Sequence, residues 1–221
     1  ENYEKQKRFI TDAGHELKTP LTIINADMEV LEMDIGENEW LSDIRNQTGR
    51  LAKLTNSLIL LSRMEEQPKA EKIEFLVSDL AQEELETFKA LAKTQNKTIS
   101  GRIEPMLSMA GDEKAIRQLL TILLDNAVKY SDDGGKIELS LKKQKNMIQL
   151  GVFNTVDYIS KEDLKHLFDR FYRTDKSRNS KTGGYGLGLS IAAAVVNAHK
   201  GRITAGTRDG KSLLITASFP L

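Results

Sequence analysis

The chain contains no cysteine. That removes disulfide scaffolds, thiolate metal sites and cysteine nucleophiles, and it fits a reducing compartment. No apolar run approaches the roughly 20 residues that span a bilayer, and no signal-peptide pattern is present. An excess of charge is missing too. Lys and Arg number 32 and Asp and Glu number 32, so the formal net charge is zero and nothing in the total calls for nucleic acid. Aromatics are only 6% of residues, so a core must be largely aliphatic. Four prolines and three histidines are few enough to weigh one at a time. The 221 residues suffice for one or two domains. The sequence opens without Met inside a charged helical pattern, Glu1-Asn2-Tyr3-Glu4-Lys5-Gln6-Lys7-Arg8, as expected of a piece of a longer protein.

What is present falls into two parts. In the first, apolar or small residues recur at Ile10, Gly14, Leu17, Leu21, Ile24, Met28, Leu31 and Ile35. Steps alternating between four and three make the heptad seam of a helical bundle. Gly36-Glu37-Asn38 reads as a turn, and a second run follows with Leu41, Ile44, Leu51, Leu54, Leu58 and Leu61. Two helices joined this way form an antiparallel hairpin that leaves most of its seam open. A second copy would bury it as a dimeric four-helix bundle; packing on the rest of the same chain is the alternative. This part covers residues 1–66, and the polar, proline-bearing stretch 67–72 reads as a linker.

From residue 73 to 221 the period changes. Residues 73–77 read as a strand, and Ser78 as the cap of a helix running to about 94. Strands are expected at 97–103 and 106–110, then a helix capped by Asp112 and ending near 130. Hairpins follow at 136–153 and 202–219, separated by a helix over 187–199. The expected fold class is therefore α plus α/β: a helical hairpin followed by an α/β sandwich with a mixed, mostly antiparallel sheet.

Three constellations carry chemistry. The first is His15-Glu16-Leu17-Lys18-Thr19-Pro20-Leu21. His15 is one position past a seam residue, about 100° round the helix, at the edge of the bundle. Imidazole is nucleophilic near neutral pH, and Glu16 could orient it or accept its proton. Pro20 lacks the N–H that would bond the Glu16 carbonyl, so a kink is expected just below. The second is Asp125-Asn126-Ala127-Val128-Lys129-Tyr130 at a helix end. Asn126 offers an amide oxygen to a hard cation such as Mg²⁺, Lys129 on the same face can meet phosphate, and Tyr130 could cover a base. The third is a basic stretch with Arg173, Lys176, Arg178 and Lys181, leading into Gly183-Gly184-Tyr185-Gly186-Leu187-Gly188 and an apolar helix. Glycine-rich backbone entering a helix N-terminus cradles phosphate, and the basic segment reads as a lid.

Each constellation has a bland reading: an exposed helix histidine, an ordinary helix end, a solvated loop with a tight turn. Their combination and order point instead to a nucleotide whose phosphoryl group is delivered to an imidazole. Two rivals stay open on the residues: an ATP-hydrolysing enzyme that uses only the second part, and a dimeric scaffold without catalysis.

The whole chain resembles the catalytic core of a two-component sensor histidine kinase. The stretch 15–21 resembles the family's H box, Asn126 lies in an N box over 123–131, residues 167–173 resemble the F box, and 184–189 resemble the second glycine box. The resemblance implies a dimerisation and phosphotransfer hairpin, then an ATP-binding domain of the fold shared with gyrase, Hsp90 and MutL. It implies that His15 is the phosphoacceptor, Glu16 the general base, and Thr19 the residue that helps place water when a partner is dephosphorylated. It implies ATP and Mg²⁺ as cofactors, with Asn126 as the metal ligand. Lys129, Arg173 and Lys181 would meet phosphates, Tyr130 and Asn154 would meet the base, and Gly184, Gly186, Leu187 and Gly188 would shape the phosphate loop. The partners implied are a second copy and a response regulator, whose aspartate takes the phosphoryl group. The chain would be the cytoplasmic portion of a membrane-anchored kinase, meeting the membrane only through regions absent from this sequence.

The departures from the family are local. Where the first glycine box reads Asp-x-Gly-x-Gly, this chain has Asn154-Thr155-Val156-Asp157-Tyr158. Asn154 keeps an acceptor oxygen for the adenine amino group but loses the charge that strengthens such a bond. Weaker ATP binding than the family norm is expected. Ile122 stands where the family often has a further Asn, and Gly14 where Ser is commoner.

Overall fold

The computed structural model describes residues 2–36, 38–65, 73–174 and 185–221; side chains at 2–13, 15 and 63–65 lie outside that description. The chain divides into two compact units, Glu1–Gln67 and Pro68–Leu221. The linker expected at 67–72 lies outside the described residues.

The first unit is the expected hairpin, α1 (Asn2–Ile35) and α2 (Glu39–Glu65). Its turn is built by Gly36 in a left-handed conformation, φ +75°, which glycine adopts without penalty. Asn38 then caps α2, its Oδ1 accepting the Leu41 N–H at 2.9 Å. Helix α1 runs on through Pro20.

The seam divides into two columns. Gly14, Leu21 and Met28 are buried, as are Leu41, Thr48 and Thr55 across from them. Leu17, Ile24 and Leu31 on α1, with Ile44 and Leu51 on α2, stay exposed. Both sets step by seven, so each is a straight stripe along its helix. The sequence pattern anticipates the apolar members and misses Thr48 and Thr55. Thr48 is tolerated inside because its hydroxyl donates to the Ile44 carbonyl at 2.8 Å.

In the second unit β1 (Ile73–Leu76) leads straight into α3 (Val77–Thr94), followed by β2 (Thr98–Ile103), β3 (Ser108–Gly111) and α4 (Glu113–Tyr130). Then come β4 (Lys136–Gln144), β5 (Met147–Thr155), α5 (Lys161–His166), α6 (Gly188–Ala198), β6 (Arg202–Gly206) and β7 (Ser212–Pro220). Strands β1 and β3 pair antiparallel as a small separate sheet. The main sheet has the order β2-β4-β5-β7-β6; β2 and β4 are parallel and the other pairs antiparallel. The mixed, mostly antiparallel sheet is thus as expected.

Helices α3, α4 and α6 pack side by side against the sheet. Along β5, Ile148, Leu150, Val152 and Asn154 are buried in alternation, as period-two pleating requires of the covered face. Helix α4 answers with Ile116, Leu119, Leu120, Leu123 and Leu124, each almost wholly enclosed. Its cap is as expected, Asp112 Oδ1 accepting from Ala115 N–H at 3.1 Å. Ser78 is a correction. Helix α3 starts two residues earlier than a Ser78 cap implies, with Leu76 in the cap position and no side-chain cap. The buried Ser78 hydroxyl serves the β2–β3 connection instead, donating to the Glu104 carbonyl at 2.6 Å and accepting the Leu107 N–H at 2.9 Å. A loop with enclosed polar groups needs that partner more than a helix end facing water does.

Candidate active site

On the hairpin, His15 belongs to α1; its side chain lies outside the described residues. Glu16 and Thr19 are exposed, one and four positions further along the same helix. Gly14 has a structural cause. A Cβ there would meet Ile59 Cγ1 of α2 at 2.4 Å, so the serine common in the family does not fit this crossing without displacing Ile59. At the residue before the histidine, α1 therefore lies close against the Ile59 side chain of α2.

In the α/β unit a cavity of about 390 Å³ opens beside the end of α4. The volume is in the usual range for a small-molecule site, roughly 300–1,000 Å³. Helix α4 supplies one wall. Its buried stripe leaves Ile122, Asn126, Lys129 and Tyr130 on the adjoining face, at i, i+4, i+7 and i+8, and all four line the cavity. No hydrogen bond ties the Asn126 amide to another described residue, so it is available to a ligand. Lys129 Nζ is held by Asp125 Oδ2 at 2.5 Å, an exposed pair that competing phosphate can displace. A nucleotide-borne Mg²⁺ keeps phosphate and water oxygens as most of its ligands. One amide oxygen on this wall fits that requirement, and no cluster of three or more His, Cys, Asp or Glu is found among the described residues.

The sheet supplies the floor. Asn154 is only 3% exposed and lines the cavity from a central strand, paired with Ile137 on one side and Leu213 on the other. Its Nδ2 donates to the Thr155 carbonyl at 3.0 Å. A carbonyl neighbour fixes which end of the amide is nitrogen, so Oδ1 is the group left for a ligand. No residue from 154 to 158 has a positive φ. The two glycines lost from this stretch are therefore not required by backbone strain.

The third wall is the F box meeting the second glycine box. Phe171 holds a left-handed backbone, φ +63°, that bulky residues rarely adopt. Its N–H donates to the Gly186 carbonyl at 2.9 Å. Gly186 has φ +72°, and a Cβ on it would lie 2.6 Å from the Tyr172 carbonyl oxygen. Only glycine fits there. Tyr172 is fixed in turn by α5, its hydroxyl donating to Asp163 Oδ1 at 2.7 Å. Asp163 also closes a capping box with Ser160; these hydrogen bonds, the Ser160 side chain first, hold its carboxyl below the usual range.

Helix α6 begins at Gly188, which lines the cavity, and carries no side-chain cap, so its first N–H groups are left for an anion. Leu187 stands at the cap position of α6. Its side chain is buried and does not line the cavity, leaving only its backbone near the phosphate loop. Arg173, Gly186, Tyr130 and Lys129 line the cavity. Lys181 and Gly184 lie outside the described residues. Tyr158, whose place in the first glycine box suggests a ring filling part of the base pocket or stacking beside the base, lines the cavity, and so does Tyr185, which the motifs did not single out. Their signal was present in the composition. Of five tyrosines in the chain, four (Tyr130, Tyr158, Tyr172 and Tyr185) line this one cavity.

The other two histidines are structural. His199 Nδ1 faces the Val195 carbonyl at 2.8 Å and so donates; Nε2 faces the Asp112 N–H at 3.0 Å and so accepts. It ties the end of α6 to the start of α4, a link beyond the helix-end role its position suggests. His166 lies on the surface of α5 within 2.7 Å of Asp169 Oδ2, and that hydrogen bond raises its pKa.

Comparison with known proteins agrees with this geometry. The profile of the "Histidine kinase-, DNA gyrase B-, and HSP90-like ATPase" family matches residues 111–221, and that of the "His Kinase A (phospho-acceptor) domain" matches residues 5–67. The sensor protein DltS of Streptococcus agalactiae is 40% identical over 204 residues, 91% of this chain and 51% of its own length. The chain thus spans about half the length of such curated relatives. The crystal structure of full-length ShkA in complex with AMPPNP superposes with a TM-score of 0.84 at 21% identity, covering 96% of this chain and 45% of ShkA. The histidine kinase ThkA, crystallised with the response regulator protein TrrA, gives a TM-score of 0.62 at 22% identity over 96% of this chain and 61% of that one. With a phosphoacceptor-type hairpin in one unit and this cavity in the other, the chain belongs to the histidine kinase-, DNA gyrase B- and HSP90-like ATPase family, as a histidine kinase catalytic core.

Proposed function

We propose that the chain transfers the γ-phosphoryl group of ATP to His15 and passes it on to an aspartate of a response regulator. The observation that carries this reading is the cavity: an untied Asn126 amide, an anchored Asn154 acceptor and the uncapped α6 N-terminus converge on a space of nucleotide size.

In this reading Asn154 Oδ1 accepts from the adenine amino group. Lys129 leaves Asp125 for the phosphates, which the α6 N–H groups and Arg173 also meet. Asn126 holds Mg²⁺, which when bound neutralises phosphate charge. An imidazole nitrogen of His15 then attacks in line, forming the N–P bond as the bond to the β-phosphate bridging oxygen breaks, and ADP leaves. Glu16 takes the proton that the imidazole sheds. The chain's contribution is position and charge, which is most of what phosphoryl transfer asks of a protein. Thr19, exposed on the turn after His15, places water for the reverse duty of dephosphorylating the regulator. The exposed columns of the hairpin meet their equivalents in a second copy. Each half-buried leucine or isoleucine that closes there contributes about 1 kcal/mol.

No helix among the described residues is long and apolar enough to cross a membrane. The curated relatives are named as sensors, and in this reading membrane contact belongs to regions outside this sequence.

The test is incubation with γ-labelled ATP and Mg²⁺. Acid-labile label is expected on the wild-type chain and none on His15→Ala, with ATP affinity unchanged between them. Label persisting on His15→Ala would remove His15 from the mechanism. ATP hydrolysis with no labelled protein would favour the gyrase-like alternative.

A further inference from the structure

Tyr158 stands where the family pattern has a glycine, and it is unusual in two respects. It is a large aromatic side chain left 64% exposed, and it lines the nucleotide cavity. An exposed tyrosine contributes little to folding, so its place at a cavity needs another cause. The backbone that carries it is held firmly. Val156 N–H donates to the Lys211 carbonyl at 2.9 Å and Ile159 N–H to the Gly210 carbonyl at 2.8 Å, bracketing the residue on both sides. The ring lies close to Gly210: a Cβ on that glycine would be in ordinary contact with Tyr158 Cε2, at 3.5 Å. One edge of the ring therefore lies beside the turn at Gly210.

Two readings of such a ring are open in principle: a plug or a wall. The space decides between them. The cavity measures about 390 Å³ with the Tyr158 side chain in place, so the ring does not fill it. The polar acceptor meant for the base, Asn154, lies on the same cavity surface four residues earlier in the chain and carries no charge.

We propose that Tyr158 is a stacking wall for the purine of a nucleoside triphosphate, supplying contact area that offsets the missing carboxylate at position 154. The proposal rests on the reading of this cavity as a nucleotide site. Stacking needs only a π face, so Tyr158 contributes affinity, while the choice among bases stays with Asn154.

The experiment is calorimetric titration of the full chain with Mg-ATP and, separately, with tripolyphosphate, which shares the phosphates and lacks the base. Tyr158→Ala is expected to weaken ATP binding about tenfold. Tripolyphosphate affinity should stay the same, and Tyr158→Phe should bind ATP within about twofold of wild type, since it keeps the ring. ATP binding by Tyr158→Ala that equals wild type overturns the inference, and tighter binding does so by making the ring an obstruction. Equal losses for ATP and tripolyphosphate, or a Phe variant as weak as the Ala variant, also overturn it. The nucleotide reading fails separately, taking this inference with it, if the wild-type chain binds no ATP or if Asn126→Ala leaves ATP binding unchanged.

Discussion

The two units solve the problem of burying apolar surface in opposite ways. The α/β unit closes its own core: Leu119, Leu120, Leu124, Leu139 and Ala217 are fully enclosed. The hairpin cannot, and leaves a whole stripe of its seam, including Leu17, Ile24 and Leu51, at the surface. Two helices have too few faces to enclose a seam that serves two neighbours. The difference teaches where each unit gets its precision. The cavity is shaped by backbone geometry inside one chain, whereas the hairpin leaves an apolar stripe exposed, which the proposed second copy would cover. The hairpin should therefore be broken by charge on its exposed stripe and the cavity by a methyl group in its wall, each without harm to the other.

The largest effect is expected on assembly. Ile24→Glu combined with Leu51→Glu places carboxylates on both helices of the exposed stripe. Burying an unpaired carboxylate costs several kcal/mol, so the dimer should dissociate to monomers at micromolar concentration in sedimentation velocity. ATP affinity of the monomer should match wild type. A variant that stays dimeric would show that the stripe faces something other than a second copy.

This division also explains what could be read from the sequence. Periodicity located the hairpin and nearly every strand, because apolar spacing is what burial acts on. The motifs also singled out Asn126, Lys129, Gly186 and Arg173, and all four line the cavity. What escaped was whatever depends on contact across the fold. Thr48 and Thr55 belong to the buried column and look polar in one dimension. Ser78 resembles a cap until the enclosed Leu107 N–H claims its hydroxyl. Tyr185 reaches the cavity through a loop that no periodicity describes. Glycines are absent at 156 and 158, and the backbone there stays out of the left-handed region that would favour them.

The next effect in size is confined to the cavity. Gly186→Ala puts a methyl group 2.6 Å from the Tyr172 carbonyl oxygen, on a residue with φ +72°. Both neighbours are backbone and cannot turn aside. Strain of about 1–3 kcal/mol is expected, relieved by separating the F box from the glycine loop. ATP affinity should fall about tenfold or more by calorimetry, while the dimer is unchanged. Gly14 is the instructive contrast in the other unit. The atoms its methyl would meet, Ile59 Cγ1 at 2.4 Å and Cδ1 at 2.9 Å, belong to a side chain rather than to backbone. A glycine enforced by backbone and one favoured by a side chain are different constraints, although both read as Gly in a motif.

The smallest effect concerns α5, which anchors the cavity's third wall and carries two groups that titrate with opposite signs. Asp163 has its pKa lowered, first by the Ser160 side chain and also by Tyr172. Its contribution is present above the unfolded carboxyl pKa and is lost as pH falls through the lowered folded value. His166 has its pKa raised, first by Asp169 and then by the charges of Asp169 and Glu162. Its contribution is complete below the unfolded imidazole pKa and disappears as pH rises through the raised folded value. The two windows overlap between the carboxyl and imidazole ranges, so α5 should hold Tyr172 most firmly in mildly acidic solution. His166→Gln should remove the upper limb of that dependence. Melting temperatures of wild type and variant would then differ most near pH 5.5 and converge near pH 8.5, with the gap shrinking at high salt because the pair is exposed. A gap that persists at alkaline pH would mean that His166 acts through packing against Tyr172, whose ring centroid lies 5.5 Å away, rather than through its charge.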